Sequence, residues 1–146
     1  MSARIGLGSL IRDRGGSVAI EFAILGPTVI AMMLGVVQFG IGMQAYNSMR
    51  SVAAETARYA TVQYQKSNSI SNTALETQAR AIATGNRYRL QTGDFTVTVT
   101  TPTTQRVTGA GERTISMTYS VKSILQIQAF PAIPLTYSRP IFVLGS

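Results

Sequence analysis

The chain has 146 residues and a formal net charge of +7, with thirteen Lys and Arg residues, six Asp and Glu residues, and no cysteine or histidine. This composition excludes thiol chemistry, disulfides, metal centres built on Cys or His, and nucleophile–histidine catalysis. The basic residues are scattered, which is typical of a solvated surface and argues against binding of nucleic acid. We expect no metal or other cofactor, and the length allows one small soluble domain beside a membrane helix.

A long apolar stretch near the amino terminus contains a single acid, Glu21, and the next charged residue after it is Arg50. Such a stretch is long enough to cross a bilayer as a helix, which takes about 20 apolar residues. A carboxylate in hydrocarbon costs at least about 2.5 kcal/mol. Glu21 is therefore either a residue of the first helical turn at headgroup level, where the helix dipole favours it, or a functional residue.

A basic leader, residues 1–16, precedes this stretch and ends in two glycines. Arg4, Arg12 and Arg14 lie in the leader against one acid, so the positive-inside tendency places the amino terminus in the cytoplasm and the carboxyl terminus outside. The apolar run is too long for a typical signal-peptide core. We therefore expect a single-pass anchor that crosses the membrane at about residues 19–44 and carries a removable leader.

The junction between leader and helix resembles a type IV prepilin cleavage site. Gly16 would precede the cut, Ser17 would become the new amino terminus, and Glu21 would be the acid at the fifth mature position. The aromatic Phe22 follows the acid, as is common in the Tad, or Flp, branch. The resemblance is closest to the TadE-like pilus-assembly proteins, and it covers about the first 60 residues.

Two later features also fall on the TadE-like pattern, namely Pro27 and the segment Ala57-Arg58-Tyr59-Ala60. The chain departs from the pattern at Gln38 and Phe39, which stand where many relatives have an acid, and at Thr56, where a glycine is frequent. These departures do not touch the cleavage site. They leave open whether the chain is closer to TadE or to its relative TadF.

The resemblance implies a minor pilin or pseudopilin of a Tad pilus and secretion system, held in the bacterial inner membrane before assembly. Its implied partners are a prepilin peptidase, other pilin or pseudopilin subunits, the Tad secretion machinery and membrane lipid. Glu21 and Phe22 would set the register of assembly. The alternative is an unprocessed, single-pass anchored envelope protein with a binding or accessory role, and cleavage between Gly16 and Ser17 separates the two hypotheses.

Pro27 lies inside the apolar helix. It lacks an N–H and clashes with the carbonyl four residues back, so the helix should kink or loosen near Ala23–Pro27. Such a kink is either a tolerated feature of a membrane span or, as the resemblance to pilins implies, a point that melts when the subunit packs into a filament.

The long helix, residues 17–66, should continue beyond the membrane as an amphipathic segment. Its apolar stripe consists of Ala53, Ala57, Ala60 and Tyr64. This face packs either on the protein's own sheet or against helices of neighbouring subunits. The polar, turn-rich run Lys66–Asn72 should end the helix, and the spacing of apolar residues predicts a second, short helix over Thr73–Thr84.

Residues 67–146 are predicted to form a small extracytoplasmic α+β domain. Alternation predicts a strand at Phe95–Val99, one or two strands from Ile115 to Ala129, and a last strand over Leu135–Leu144. In this last strand, Pro140 indicates an edge position or an interruption. We therefore predict an α+β fold, with a long pilin-like membrane helix followed by a short helix and an antiparallel sheet of three to four strands.

Between these strands, Thr101–Glu112 is predicted to be a hairpin loop and Pro131–Pro134 a turn. The apolar segment Ile124–Ile133 either closes the small core or forms a surface patch. The outer carboxylates are Glu55, Glu76, Asp94 and Glu112, and they are widely spaced. No motif pairs them for acid–base catalysis, so we expect no enzymatic activity and assign no catalytic residue.

Overall fold

The computed structural model describes residues 14–66, 68–124 and 131–144. Within these residues the chain forms two helices and three strands, which are α1 (Arg14–Gln65), α2 (Asn72–Thr84), β1 (Phe95–Thr100), β2 (Ala110–Val121) and β3 (Ile133–Leu144). The strands form one antiparallel sheet. The predicted α+β fold is therefore confirmed. Most of the predicted leader and most of the apolar segment Ile124–Ile133 lie outside the described residues.

The chain divides into two compact units, residues 1–37 and residues 38–146, and α1 contributes to both. The described part of the first unit is the amino-terminal portion of α1. This helix begins at Arg14, so it includes three residues of the predicted leader. It ends at Gln65, as the polar run after it predicts.

In the second unit, one face of α1 packs into the hydrophobic core together with residues of α2 and the sheet. Its buried residues lie along one stripe of the helix and are Ala45, Met49, Val52, Ala53, Thr56 and Ala60. Ala57 and Tyr64 are half-buried beside them. The predicted stripe therefore packs on the protein's own domain. Its small side chains bring the helix backbone close to the core.

The short helix α2 begins one residue earlier than predicted because Ser71 caps it. The Ser71 hydroxyl accepts a hydrogen bond from the backbone N–H of Ala74 at 3.2 Å, which satisfies one of the free donors of the first turn. Leu75, Ala79 and Ala83 lie at intervals of four and are buried. This face packs α2 against the core and beside β1.

The sheet has the order β1-β2-β3, so β2 is the central strand. The buried residues of β1 alternate with exposed threonines, as predicted. One sheet face contributes to the core through Phe95, Val97, Val99, Ile115, Met117, Val121, Ile141 and Val143. The other face is rich in hydroxyl side chains, and Ser116 hydrogen-bonds Ser138 across the strands at 3.0 Å.

Two predicted loop boundaries are wrong. β2 begins at Ala110, so Gly111 and Glu112 belong to the strand and not to the preceding loop. Gly109, with φ of 82°, supplies the turn, whereas Gly111 allows close packing, because an added Cβ would lie 3.2 Å from Cγ2 of Val143. At the other connection β3 already begins at Ile133, so the predicted turn ends earlier than Pro134.

The outer edge of β1 is covered by side chains of α2. Glu76 Oε1 accepts the backbone N–H of Val99 at 2.7 Å, and Arg80 Nη1 donates to the carbonyl oxygen of Phe95 at 3.2 Å. These backbone groups would otherwise be open to another strand. Two outward backbone groups of β1, the N–H of Val99 and the C=O of Phe95, are thus satisfied within the chain.

The outer edge of β3 carries two prolines. The Ser120 N–H donates to the carbonyl oxygen of Asp94. Even-numbered residues of β1 and β2 are therefore the ones that hydrogen-bond each other. Alternation along the ladder then directs the backbone groups of even-numbered β3 residues away from β2. Pro134 and Pro140 lie at such positions and offer no N–H there. The predicted edge position of Pro140 is confirmed, and the strand continues through it.

Candidate functional site

The amino-terminal portion of α1 is apolar on all its sides and exposed. Its large exposed side chains are Val18, Ile20, Phe22, Ile24, Leu25, Val29, Ile30, Met32, Met33, Val36 and Val37. Phe22 is 77% exposed. A helix that is apolar all round normally lies inside a protein or a membrane. By length and composition, α1 contains a segment apolar enough to cross a membrane.

The predicted cleavage site lies at the start of this helix. Gly16 and Ser17 are in the first turn of α1, which begins at Arg14. Glu21 is exposed and lies four residues after Ser17, so both residues belong to the same side of the helix. The structure thus places the residues proposed for cleavage and for register within two turns of one another.

Phe22 and Pro27 follow on the same helix. A Cβ built on Gly26 would lie 3.9 Å from Cε1 of Phe22, so the ring lies along the glycine. The helix is continuous through Pro27. One turn further back, Ile24 offers a carbonyl to the Thr28 hydroxyl at 3.0 Å. The kink predicted at Pro27 stays a prediction.

The carboxylates of the outer domain do not come together in one cluster. Glu55 accepts hydrogen bonds from Arg87 at 2.9 Å and from the Tyr88 hydroxyl at 2.8 Å. Asp94 pairs with Lys122 at 2.8 Å, and Glu76 covers the edge of β1. In the part of the chain that the structure describes, no group of three acids forms a metal site. The predicted lack of enzymatic activity stays a prediction.

Glu112 is the buried carboxylate of the domain, with 1% of its surface exposed. Arg106, in the loop before β2, donates to it from Nε at 2.7 Å and from its backbone N–H at 3.0 Å. Hydrogen bonds from the side chain and backbone of Arg106 lower the pKa of Glu112, although desolvation by burial opposes this. Arg106 also lies over the Phe142 ring, 5.9 Å from its centroid. The cluster ties the loop to β2 and β3.

Sequence reasoning missed the role of Gln38, which it treated as a departure from a family pattern. Its side chain is half-buried, donates to the carbonyl oxygen of Lys122 at 3.2 Å and accepts the N–H of Ile124 at 3.1 Å. The one available signal is a lone amide within an apolar helix. Its partners are more than 80 residues away, and nothing in the sequence indicates them.

The amino-terminal part of the chain is similar to a known protein family. Residues 16–58 match the family model of the TadE-like proteins. The match confirms the resemblance seen in the sequence and indicates a Tad pilus-associated protein with a helix that is able to span a membrane. It begins at Gly16 and ends at Arg58, so α2 and the sheet lie beyond it. No curated protein and no solved structure shows a significant match to this chain.

Proposed function

We propose that this protein is a minor pilin-like or pseudopilin-like subunit of a Tad pilus, processed between Gly16 and Ser17 and anchored by α1 before assembly. One observation carries the proposal. The TadE-like match begins at Gly16 and continues along an exposed apolar helix that has one acid, Glu21, near its start. That is the arrangement that the resemblance to prepilins requires.

Lipid of the bacterial inner membrane covers the exposed apolar side chains of α1 in this proposal. The basic leader keeps the amino terminus in the cytoplasm, and the domain built from α2 and the sheet lies on the other side. Removing the leader takes away the positive charges that hold this end in place. The subunit is then able to leave the bilayer for an assembly of similar helices.

The position of the junction in the first turn of α1 suits cleavage. The first four N–H groups of a helix have no partner within it, so this turn opens more readily than the interior. Gly16 has no side chain, so nothing on this residue obstructs a peptidase at the bond to Ser17. A peptidase therefore meets a short, weak turn at the bond between Gly16 and Ser17.

Glu21 sets the axial register in the second step. Cleavage creates an ammonium group on Ser17, and the carboxylate of Glu21 pairs with the amine of the subunit against which it docks. Two charges that are each costly in an apolar surrounding thereby neutralise each other. Removing one partner of such a buried pair costs about 3–5 kcal/mol, enough to abolish ordered docking.

The first experiment measures the intact mass and amino-terminal sequence of the protein from native membranes, with and without the host prepilin peptidase. We expect a terminus at Ser17 that depends on the peptidase. Gly16→Ala should block cleavage, whereas Gly15→Ala is the matched control and should be cut normally. A terminus at Met1 or Ser2 in both strains would leave an unprocessed, single-pass anchored envelope protein.

The second experiment tests Glu21. Glu21→Ala and Glu21→Gln should still insert into the membrane and be cleaved, but piliation should fall because the register pair is lost. Glu21→Asp keeps the charge and should restore part of the piliation. Normal pili in the Glu21→Ala strain would contradict the register role and leave the processing proposal intact.

A further inference from the structure

A groove on the outer domain runs between α1 and β3. It consists of two adjoining surface cavities of about 480 and 380 Å³, which share Ala54 and Arg139 as lining residues. Arg50 lines the first cavity and Arg58 the second. We call this surface, defined by Arg50, Ala54, Arg58 and Arg139, the arginine groove.

The three guanidinium groups of the arginine groove are exposed, and they have no acidic partner among the described residues. Among the residues that the structure describes, the ion pairs join Arg87 to Glu55, Arg106 to Glu112 and Lys122 to Asp94. None of them involves Arg50, Arg58 or Arg139, and no side-chain hydrogen bond in that part of the chain does so either. Three like charges that line one groove without compensation attract an anionic partner.

A second copy of this chain is a poor source of that anion. The four outer carboxylates are already engaged, Glu55, Asp94 and Glu112 in ion pairs and Glu76 at the edge of β1. The remaining acids belong to the leader and to the apolar part of α1. With a net charge of +7, two copies would also repel each other.

The length of the groove suits an extended segment of polypeptide. Arg50 and Arg58 are eight residues apart on α1, which is about 12 Å along the helix axis. About four residues of an extended polypeptide span this distance. The floor between these arginines is formed by Ala54 and Ala57, whose small side chains leave room for a chain segment.

We propose that the arginine groove binds a carboxylate-rich segment of a different protein, with the forked guanidinium groups of Arg50, Arg58 and Arg139 engaging its acidic side chains. Arginine suits this role because its planar fork bonds a carboxylate through two N–H groups at once. The inference goes beyond the pilin-like function and does not depend on cleavage after Gly16.

The test titrates the full-length chain in neutral detergent with a fluorescent hexaglutamate peptide and with a matched hexaglutamine peptide. We expect binding of the acidic peptide alone, weakened about fivefold by each of Arg50→Glu, Arg58→Glu and Arg139→Glu. Arg89→Glu is the matched control, since Arg89 is exposed and lies outside the groove. An equal loss in this control would show mere attraction to net charge and would overturn the proposal.

Two further variants keep the test decisive. Ala54→Trp fills the floor without changing charge and should weaken binding of hexaglutamate, whereas unchanged binding would count against the groove. The triple Arg→Glu variant should bind hexalysine, which the unchanged protein should not. If the single reversals weaken binding to phosphatidylglycerol vesicles but leave hexaglutamate binding unchanged, the groove is a lipid site and the proposal is wrong.

Discussion

The side-chain amide of Gln38 joins α1 to the chain that follows β2 by acting as donor and acceptor at once. Its Nε2 donates to the carbonyl oxygen of Lys122, and its Oε1 accepts the N–H of Ile124. An ionised carboxylate has no donor and is able to make only the second of these bonds. The amide at position 38 therefore has a local structural reason.

The two hydrogen bonds of Gln38 predict how fast the Ile124 amide exchanges its hydrogen with solvent in different variants. Gln38→Leu removes both hydrogen bonds and should raise the hydrogen-exchange rate of that amide about fivefold, the effect of a bond worth about 1 kcal/mol. Gln38→Glu keeps the acceptor and should have a smaller effect. Gln44→Leu, at an exposed position on the same helix, is the control. Equal exchange in all three variants would show that the contact does not persist in solution.

Replacing an alanine of α1 by a larger residue should affect stability differently at two positions. Ala60 is fully buried, so Ala60→Leu should overpack the core and lower the free energy of unfolding by about 1–3 kcal/mol. Ala54 is exposed, and Ala54→Leu should change stability little. Denaturant unfolding of the full chain in detergent measures both. Similar losses in the two variants would place Ala54 in the core as well.

The cluster of Glu112 and Arg106 predicts a dependence of stability on pH. Because hydrogen bonds from Arg106 lower the pKa of Glu112, the unfolded chain binds this proton more tightly than the folded one. The stabilisation should be complete above the ordinary glutamate pKa of about 4.3 and should be lost as the pH falls through the lowered value.

Glu112→Gln should therefore be less stable than the unchanged protein at neutral pH, and its stability should fall less on acidification. Arg106→Gln removes the cause of the pKa shift and should flatten the same pH profile. Denaturant unfolding at a series of pH values measures both effects. An unaltered pH profile in both variants would show that other carboxyl groups dominate the acid response.

Pro134 and Pro140 have no N–H groups, so they should hinder pairing of the outer edge of β3 with a strand of another copy. Pro140→Thr would restore an outward N–H on this strand and should increase concentration-dependent association of the detergent-solubilised protein. Light scattering with size-exclusion chromatography measures it. Pro131→Thr, just before the strand, is the control and should leave association unchanged. Equal behaviour of both variants would mean that the edge is not what limits association.

Local patterns predicted most of the elements of this fold. The alternation of Phe95, Val97 and Val99 with threonines predicted β1, and helical spacing with a polar stop predicted both helices to within a few residues. The start of β2 was missed because Gly109 and Gly111 are both turn signals in a sequence. Only the register with Val143 shows that the second glycine serves close packing within a strand.

The candidate site, too, could be predicted from the sequence only in part. Gly16, Ser17, Glu21 and Phe22 are neighbours in the sequence, so a short motif sufficed to predict them, and their roles stay predictions. The arginine groove could not be predicted, because Arg139 comes from the last strand and meets Arg50 and Arg58 only in the folded domain. In the sequence these three residues are scattered basic positions like any others.

The partial protection of both sheet edges affects how copies of this chain meet one another. A protein confined to a membrane reaches a high local density. Unpaired edge strands at that density would pair with those of other copies. Side chains of α2 cover part of β1, and two prolines interrupt the N–H groups on the edge of β3. Single subunits should therefore be able to remain unpaired at high local density. Under the proposed function, assembly would then depend on α1 and not on the sheet edges.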